Sequence, residues 1–256
     1  MHIVVLLKAV PVVGMERLDP SGYVQRAQLE ANGNDEYVLE KALKLTEANG
    51  GEVSLLSMGP PAALDALRKA LAMGATRAYH VTDDAIAGSC IRATVAILAA
   101  ALRKLEFDLL FVGADTSDGL GGVVAPALAA RLGLPYLSYA SEIEPLDGGV
   151  RVRRLSAAGY DVLEAPTPAL VMGTQVLGEP RYPSLRGIMQ ARSKEVVTWS
   201  LADLGIEPPS VGESGATTRL TGSKAPPARS GAQVVRASPE ESVTAVIDFL
   251  AARRLI

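Results

Sequence analysis

The residues best suited to chemistry lie in one glycine-rich loop. An apolar run at residues 109–112 leads through small and acidic residues into an Ala/Leu-rich stretch, which predicts a helix beginning near Leu120. A strand that feeds such a turn and a helix N-terminus can bind an anion, because unpaired backbone amides and the helix dipole face the ligand. Thr116, Ser117 and Asp118 are placed to hydrogen-bond a sugar or a phosphate, and glycines let the ligand approach the backbone: Gly119, Gly121 and Gly122. The alternative is an ordinary connection capped by Asp118.

The rest of the chain offers little for catalysis. His2 and His80 fall at the start of one apolar strand and inside another, which indicates structural roles. Cys90 lies at a predicted helix start, where the pKa of a thiol can be lowered, but the expected role is that of a small buried apolar residue. We find no Ser, His and Asp grouping, no metal-ligand spacing, no G-x-G-x-x-G and no P-loop pattern. The sequence therefore predicts binding rather than stand-alone catalysis.

Composition limits the class of protein. The 256 residues carry a formal net charge of −3 without a basic stripe, which argues against nucleic-acid binding. No apolar run reaches the roughly 18 residues that would span a bilayer, and no signal segment is visible. A single cysteine excludes an internal disulfide and a cysteine-built metal site. We expect a soluble, cytoplasmic protein that is not membrane-embedded.

The first half of the chain alternates strands and helices. Apolar runs predict strands at residues 3–7, 53–58, 77–81 and 109–112, and helical spacing lies between them. Asn34 or Asp35 is the expected cap of the first helix. This alternation predicts a doubly wound, mostly parallel α/β sheet, in which ligands bind at the carboxyl ends of the strands.

The second half has a different character. We predict a β-hairpin over residues 142–154 and a short strand at residues 169–172. Residues 207–233 are rich in Pro, Gly, Ser and Thr, which predicts an extended arm, and the last helix begins at Ser238 with a capping-box Glu241. We therefore predict a domain at 1–205 and an arm with its helix at 206–256. The one-sided helix docks either on its own domain or on a partner, and the sequence leaves both open.

Several long segments carry a family resemblance. Residues 32–42 read NGNDEYVLEKA, residues 56–88 include RKALAMGATRAYHV, and residues 178–194 read GEPRYPSLRGIMQARSK. The last of these is similar to the long signature N-E-P-R-Y-x-x-L-x-x-I-M-x-A. With the loop at residues 113–126, these segments resemble the β subunit of electron transfer flavoproteins, including the members associated with nitrogen fixation.

This resemblance implies a function and partners. The implied fold is adenine nucleotide alpha hydrolase-like. The implied role is a β subunit paired with an α subunit that holds FAD, taking electrons from an acyl-CoA or other dehydrogenase and passing them to a quinone reductase or similar acceptor. The β subunit itself would hold AMP, or a second FAD in bifurcating members. It would be an electron carrier and not an enzyme by itself.

The resemblance also implies site residues. Leu185, Ile188 and Met189 would dock on the dehydrogenase, with Leu185 as the plug; packing of Leu185 against the other two is the alternative. The family's second acid, Thr and Gln in the loop are here Leu120, Gly121 and Val123, which leaves backbone amides as the donors. The implied nucleotide contacts are Leu6, Asn32, Asp35, Met58, Gly113, Asp118, Gly119, Gly121, Gly122, Val123 and Val124.

Two other functions compete with this one. A solitary adenine-nucleotide-binding or sensor protein of the same fold would need neither the 178–194 motif nor the arm. An adenine-nucleotide hydrolase or ligase would need a pyrophosphate loop after the first strand, which residues 9–14 do not supply. The 178–194 motif and the predicted arm therefore favour the electron carrier over the sensor, and the absent pyrophosphate loop argues against the hydrolase or ligase.

Overall fold

A nine-stranded sheet organises the chain, whose computed structural model describes residues 1–224 and 234–256. The strands are β1 (His2–Leu6), β2 (Ala9–Pro11), β3 (Leu29–Ala31), β4 (Glu52–Met58), β5 (Arg77–Val81), β6 (Leu109–Gly113), β7 (Tyr136–Leu146), β8 (Gly149–Ser156), β9 (Gly159–Pro166), β10 (Ala169–Gly173) and β11 (Val196–Trp199). The helices are α1 (Gly33–Asn49), α2 (Ala63–Met73), α3 (Ile91–Leu102), α4 (Val124–Leu132), α5 (Leu185–Ala191) and α6 (Pro239–Ala251).

The strand order explains where a ligand would bind. The sheet runs β11-β5-β4-β1-β6-β10-β7-β8-β9, and the strands from β11 to β7 pair in parallel. The chain goes from β1 towards β4 and β5, then returns to place β6 on the other side of β1. In such sheets the crevice at this reversal, outside the carboxyl ends of the strands, is the usual ligand site. The predicted doubly wound sheet is confirmed.

Both faces of the parallel strands are buried, as their continuous apolar runs predict. Ile3 and Phe111 belong to a core on the face covered by α1 and α2, whereas Val4 and Leu110 belong to a second core on the face covered by α3 and α4. Consecutive residues of one strand thus enter opposite cores. β1 is fixed in register by pairing with β4 on one side and β6 on the other, so the two loops that follow β1 and β6 emerge side by side.

Two predicted helix starts are wrong. α1 begins at Gly33 with Asn32 in the cap position, and neither Asn34 nor Asp35 caps it. α4 begins at Val124 rather than near Leu120, its cap residue is Val123, and Asp118 does not cap it. In both cases the polar side chains that a local reading assigns to caps form hydrogen bonds to distant parts of the chain instead, as described below.

The predicted hairpin is confirmed as β7 and β8, and a third antiparallel strand, β9, extends the sheet beyond it. The outward face of this extension is polar: Arg151 forms ion pairs with Glu144 on one neighbouring strand and Glu164 on the other. β9 escaped prediction because it lies at the sheet edge and most of its side chains are partly or fully exposed, so its apolar signal is weak.

Residues 207–217 are held by hydrogen bonds and turns, and the prediction of an extended arm is wrong for them. The compact unit Met1–Thr221 includes them. Val211 is buried, and the Gly212 amide donates to Ser89 Oγ at 2.9 Å. Glycine turns and backbone hydrogen bonds hold this segment, so the sequence carries no apolar periodicity to reveal it. Residues 225–233, also part of the predicted arm, lie outside the described residues.

The second unit, Gly222–Ile256, contains α6. The predicted capping box is confirmed: Ser238 Oγ accepts from the Glu241 amide, and the Glu241 carboxylate accepts from the Ser238 amide. Val243, Val246 and Ile247 form its exposed apolar side. Among the described residues, no helix is long and apolar enough to cross a membrane.

Candidate nucleotide site and docking surface

Asp118 is the centre of a polar cluster at the carboxyl ends of β1 and β6. Its carboxylate accepts from Lys8 Nζ at 2.7 Å, Arg26 at 2.8 Å and Thr116 Oγ1 at 2.8 Å, and its side chain is only 2% exposed. Burial alone would raise the pKa of Asp118, but the hydrogen bonds and charges of Lys8 and Arg26 outweigh it and lower that pKa. The carboxylate is thus fully engaged and ties the glycine-rich loop to the chain that follows β1.

The start of α1 is bonded to the same loop. Asn32 Nδ2 donates to the Asp115 carbonyl at 2.9 Å, and Asn32 Oδ1 accepts from the Ser117 amide at 3.2 Å. Asn34 Nδ2 donates to the Asp115 carboxylate at 2.8 Å. These contacts explain why Asn32, although in the cap position of α1, makes no side-chain capping hydrogen bond, and they fix the first half of the loop from two sides.

Asp35 is buried where α1 meets β1 and β6. Its carboxylate accepts from the Lys8 amide at 2.8 Å, and the residue is 4% exposed. Burial raises the pKa of Asp35 to about 7, against the lowering effect of the hydrogen bonds it accepts. A Cβ at Gly113 would overlap with Asp35 Oδ1, so glycine at the end of β6 is what allows α1 to approach. Asp35 and Gly113 therefore serve the packing of α1 in this structure.

The second half of the loop presents backbone donors. The amides of Gly121, Gly122, Val123 and Val124 donate to no acceptor among the described residues. Leu120 and Gly122 both have left-handed backbone, with φ of 45° and 58°. Four consecutive free amides at the N-terminus of α4 suit the oxygens of a phosphate, which needs donors and benefits from the helix dipole. The residues present thus fit an anionic group through the backbone.

The implied nucleotide contacts divide between the two faces of the sheet. Leu6 and Met58, at the ends of β1 and β4, belong to the core on the α3 and α4 face, and the free amides begin α4 itself. Gly121 lies beside the Ile91 side chain at the start of α3. On the other face, Asn32, Asp35 and Gly113 are engaged in internal contacts.

Sequence reasoning missed Lys8 and Arg26. Lys8 lies two residues beyond the end of β1, so its position near a strand end could have identified it. Arg26 lies in the connection before β3, and no local pattern marks it. Among the described residues, no group of three or more His, Cys, Asp or Glu could hold a metal ion.

Cys90 is not buried, contrary to the sequence interpretation. It occupies the cap position of α3 and is partly exposed. The Ala93 amide lies near its sulfur and the Thr217 amide donates to it at 3.4 Å, and these amides lower the pKa of the thiol to about 6.

The segment 178–194, hereafter the recognition segment, presents an exposed apolar surface. Leu185 is 83% exposed and Met189 is 74% exposed, with Tyr182 and Ile188 also exposed. Leu185 is the first residue of α5, and its exposure shows that Ile188 and Met189 leave most of its side chain uncovered. A cavity of about 610 Å³ lies between α2 and α5 beside this surface. The three implied docking residues share one exposed surface.

Comparison with known proteins decides the family. The family model described as "Electron transfer flavoprotein domain" matches residues 22–204, which include the glycine-rich loop and the recognition segment. The chain belongs to the electron transfer flavoprotein family.

Curated relatives match over nearly the whole chain. The electron transfer flavoprotein subunit beta of Thermoanaerobacterium thermosaccharolyticum is 34% identical over 260 residues, covering all of both chains. That of Clostridium acetobutylicum is 35% identical over 253 residues, 98% of each chain. The caffeyl-CoA reductase-Etf complex subunit CarD of Acetobacterium woodii is 35% identical over 240 residues, 92% of each chain. The role of this chain is that of an electron transfer β subunit.

Proposed function

We propose that this chain forms a heterodimer with an electron transfer flavoprotein α subunit and carries electrons from an acyl-CoA or other dehydrogenase to a quinone reductase or similar acceptor in the cytoplasm. The observation that carries this proposal is the recognition segment, which holds Leu185 and Met189 exposed on a short, fixed helix. An exposed leucine at the tip of an ordered element is suited to fill an apolar pocket on another protein.

The glycine-rich loop is proposed to hold an adenine nucleotide in this subunit, either AMP or a second FAD. Its phosphate would lie against the free amides of residues 121–124, because these donors lack acceptors among the described residues. Leu6 and Met58, on the same face of the sheet as α4, would pack against the apolar parts of the ligand. Asp118 would act by holding the loop in shape, since Lys8, Arg26 and Thr116 engage its carboxylate. Besides Leu6, Met58, Asp118 and residues 121–124, the contacts that the resemblance implies are Asn32, Asp35, Gly113 and Gly119.

Bound FAD, held mainly by the α subunit, would supply the redox chemistry. The residues of this chain would bind the nucleotide and dock the dehydrogenase. The unit Gly222–Ile256 is proposed to contact the α subunit, because Val243, Val246 and Ile247 give α6 an apolar side that suits a partner.

Electron transfer to the assembled heterodimer tests the proposal. The chain is co-expressed with its α subunit, and the purified complex is mixed with an acyl-CoA dehydrogenase and its substrate while flavin absorbance is followed. We expect rapid bleaching for the wild type. Leu185→Ala should slow bleaching at least 10-fold at limiting complex concentration, because the apolar anchor is lost, with flavin content unchanged.

Leu155→Ala, at an exposed leucine of β8, is the matched control and should leave the rate unchanged. A wild-type heterodimer that binds flavin but is not reduced by any acyl-CoA dehydrogenase tried would argue against this class of donor. An unaltered rate for Leu185→Ala would remove Leu185 from the docking surface.

A further inference from the structure

The C-terminal ends of α2 and α5 are joined by a reciprocal pair of cations. Arg68 of α2 donates from one nitrogen to the carbonyls of Ala191 and Lys194, both at 2.7 Å. In the opposite direction, Lys194 Nζ donates to the carbonyls of Leu71 at 2.9 Å and Ala75 at 2.6 Å. Arg68, within α2, therefore bonds the chain at and beyond the end of α5, and Lys194, three residues after α5, bonds the chain at and beyond the end of α2. We call Arg68 and Lys194 the clamp.

The clamp supplies donors to carbonyls at and just beyond the ends of α2 and α5, of which the Leu71 carbonyl also accepts from the Gly74 amide at 3.3 Å. The last carbonyls of a helix have no intrahelical donor, and a cation beside them also interacts favourably with the helix dipole. Burial lowers the pKa of Lys194, so its ammonium is held in a partly desolvated place where these carbonyls replace water. Loss of either cation leaves two carbonyls without that donor and frees the end of α5.

Two further contacts hold the recognition segment. A Cβ at Gly187 would overlap with the Ala72 carbonyl oxygen, so α5 lies directly on α2. At the start of the segment, Arg181 Nε donates to Glu40 at 2.8 Å and a second nitrogen donates to Glu47 at 2.9 Å, both on α1. The segment is thus fixed at its start, its middle and its end.

The fixed side and the exposed side of α5 have different chemistry. Polar contacts and Gly187 face α2, whereas Leu185, Ile188 and Met189 are exposed. A docking element that is already ordered loses less conformational entropy on binding than a loose one, which lowers the free-energy cost of forming the complex. Exposed apolar side chains on a helix of only 7 residues depend on such external support, because a helix this short is unstable alone.

We propose that Arg68 and Lys194 are positioning residues for electron transfer, which act by presenting the recognition segment in its docking geometry. This inference rests on the proposed function. It assigns a role to two cations whose hydrogen bonds go to backbone carbonyls of α2, α5 and the residues that follow them, and Arg68 also lines the cavity beside the recognition segment.

The test uses the purified heterodimer and a dehydrogenase that reduces the wild type. Arg68→Met and Lys194→Met should each raise the KM for the heterodimer at least 5-fold and leave kcat within 2-fold, because docking weakens while the electron path in the formed complex is unchanged. Arg68→Lys and Lys194→Arg keep the cation and should recover much of the wild-type KM. Arg103→Met, at the residue that directly follows α3 on the other face of the sheet, is the control and should change neither constant.

Hydrogen exchange supplies a readout that does not depend on the dehydrogenase. Amides of α5 should exchange at least 10-fold faster in the clamp variants, while amides of the β1 strand should keep their wild-type rates. If Arg68→Met fails to fold, Lys194→Met removes the other half of the clamp and gives the same test.

The outcomes separate the two claims. A raised KM with faster exchange in α5 supports the inference. If Leu185→Ala raises the KM and the clamp variants do not, the inference is overturned and the proposed function stands. If the wild-type heterodimer accepts no electrons from any dehydrogenase, the proposed function fails and the positioning role fails with it, even if exchange in α5 is accelerated.

Discussion

The carboxylate of Asp118 illustrates how a single residue shapes the glycine-rich loop. It accepts hydrogen bonds from Lys8, Arg26 and Thr116, which hold the loop near the end of β1. The amides of residues 121–124 have no acceptor among the described residues. The nature of the loop was predictable from its glycines and its place after β6. The partners of Asp118 were not, because Arg26 is 92 residues away in the chain and no local pattern links the two.

Leu120 carries backbone strain that can be measured. Its φ of 45° lies in the left-handed region, which costs a residue with a branched side chain about 1 kcal/mol or more, and its side chain is 73% exposed. Asparagine tolerates this region, so Leu120→Asn should raise the free energy of unfolding by about 1 kcal/mol. Leu120→Ile should lower it, because a β-branched side chain fits this region less well. Urea denaturation with an unchanged m-value is the measurement, and equal stability of both variants would contradict the strained backbone.

Cys90 allows a clean test because it is the only cysteine of the chain. With a thiol pKa lowered to about 6 by the hydrogen bonds to its sulfur, it should be half ionised near that pH. Alkylation by iodoacetamide should therefore rise through a midpoint near pH 6, whereas free glutathione in the same buffers serves as an unperturbed thiol with a midpoint at about 8.5 or above. A midpoint for Cys90 close to that of glutathione would contradict the hydrogen bonds described for its sulfur.

At the scale of elements, local patterns located β1, β4, β5, β6 and β10 of the parallel sheet but misplaced two helix starts and omitted β2, β3, β9 and β11. Strand cores are marked by continuous apolar runs, such as residues 77–81, which match β5 residue for residue. Helix starts depend on which hydrogen bonds the nearby polar side chains form. Asn32 and Asn34 bond to Asp115 across the crevice, and this long-range choice leaves no trace in the local sequence.

Asp35 joins three elements, and its titration should be visible in stability. Its pKa is raised from 3.8 to about 7, so the protonated carboxyl is favoured in the folded state. The stability linked to it is complete below pH 3.8 and is lost as the pH rises through about 7, by roughly 1.4 kcal/mol per unit of pKa shift. Asp35→Asn removes this titration, so the variant should become more stable relative to wild type as the pH increases from about 4 to about 7.

The control for Asp35 is Asp65→Asn, at an exposed acid on α2. Thermal or urea unfolding of the three proteins across this pH range supplies the comparison. Asparagine also changes the hydrogen bonds at this position, which adds a constant offset, so the dependence of the difference on pH is the quantity of interest. A difference that stays constant with pH would contradict the raised pKa of Asp35.

At the scale of the whole molecule, the sequence predicted the doubly wound sheet, and the recognition segment is the exposed surface that the family resemblance implies. The packing of residues 207–217 was missed, because turns and hydrogen bonds rather than apolar periodicity hold Val211 and Gly212 in place. The division of the implied nucleotide contacts between the two faces of the sheet could not be predicted either, since it depends on which face of the sheet each loop follows. The contact of residues 206–256 with a partner subunit stays a prediction.

Cofactor stoichiometry of the co-expressed heterodimer tests the central claim most directly. The complex with the α subunit is purified, extracted with acid, and its FAD and AMP are counted per heterodimer by chromatography. We predict a stable complex that contains FAD and, in addition, one adenine nucleotide for this subunit, which is AMP or a second FAD. Failure to form a complex, with no flavin bound, would contradict the account.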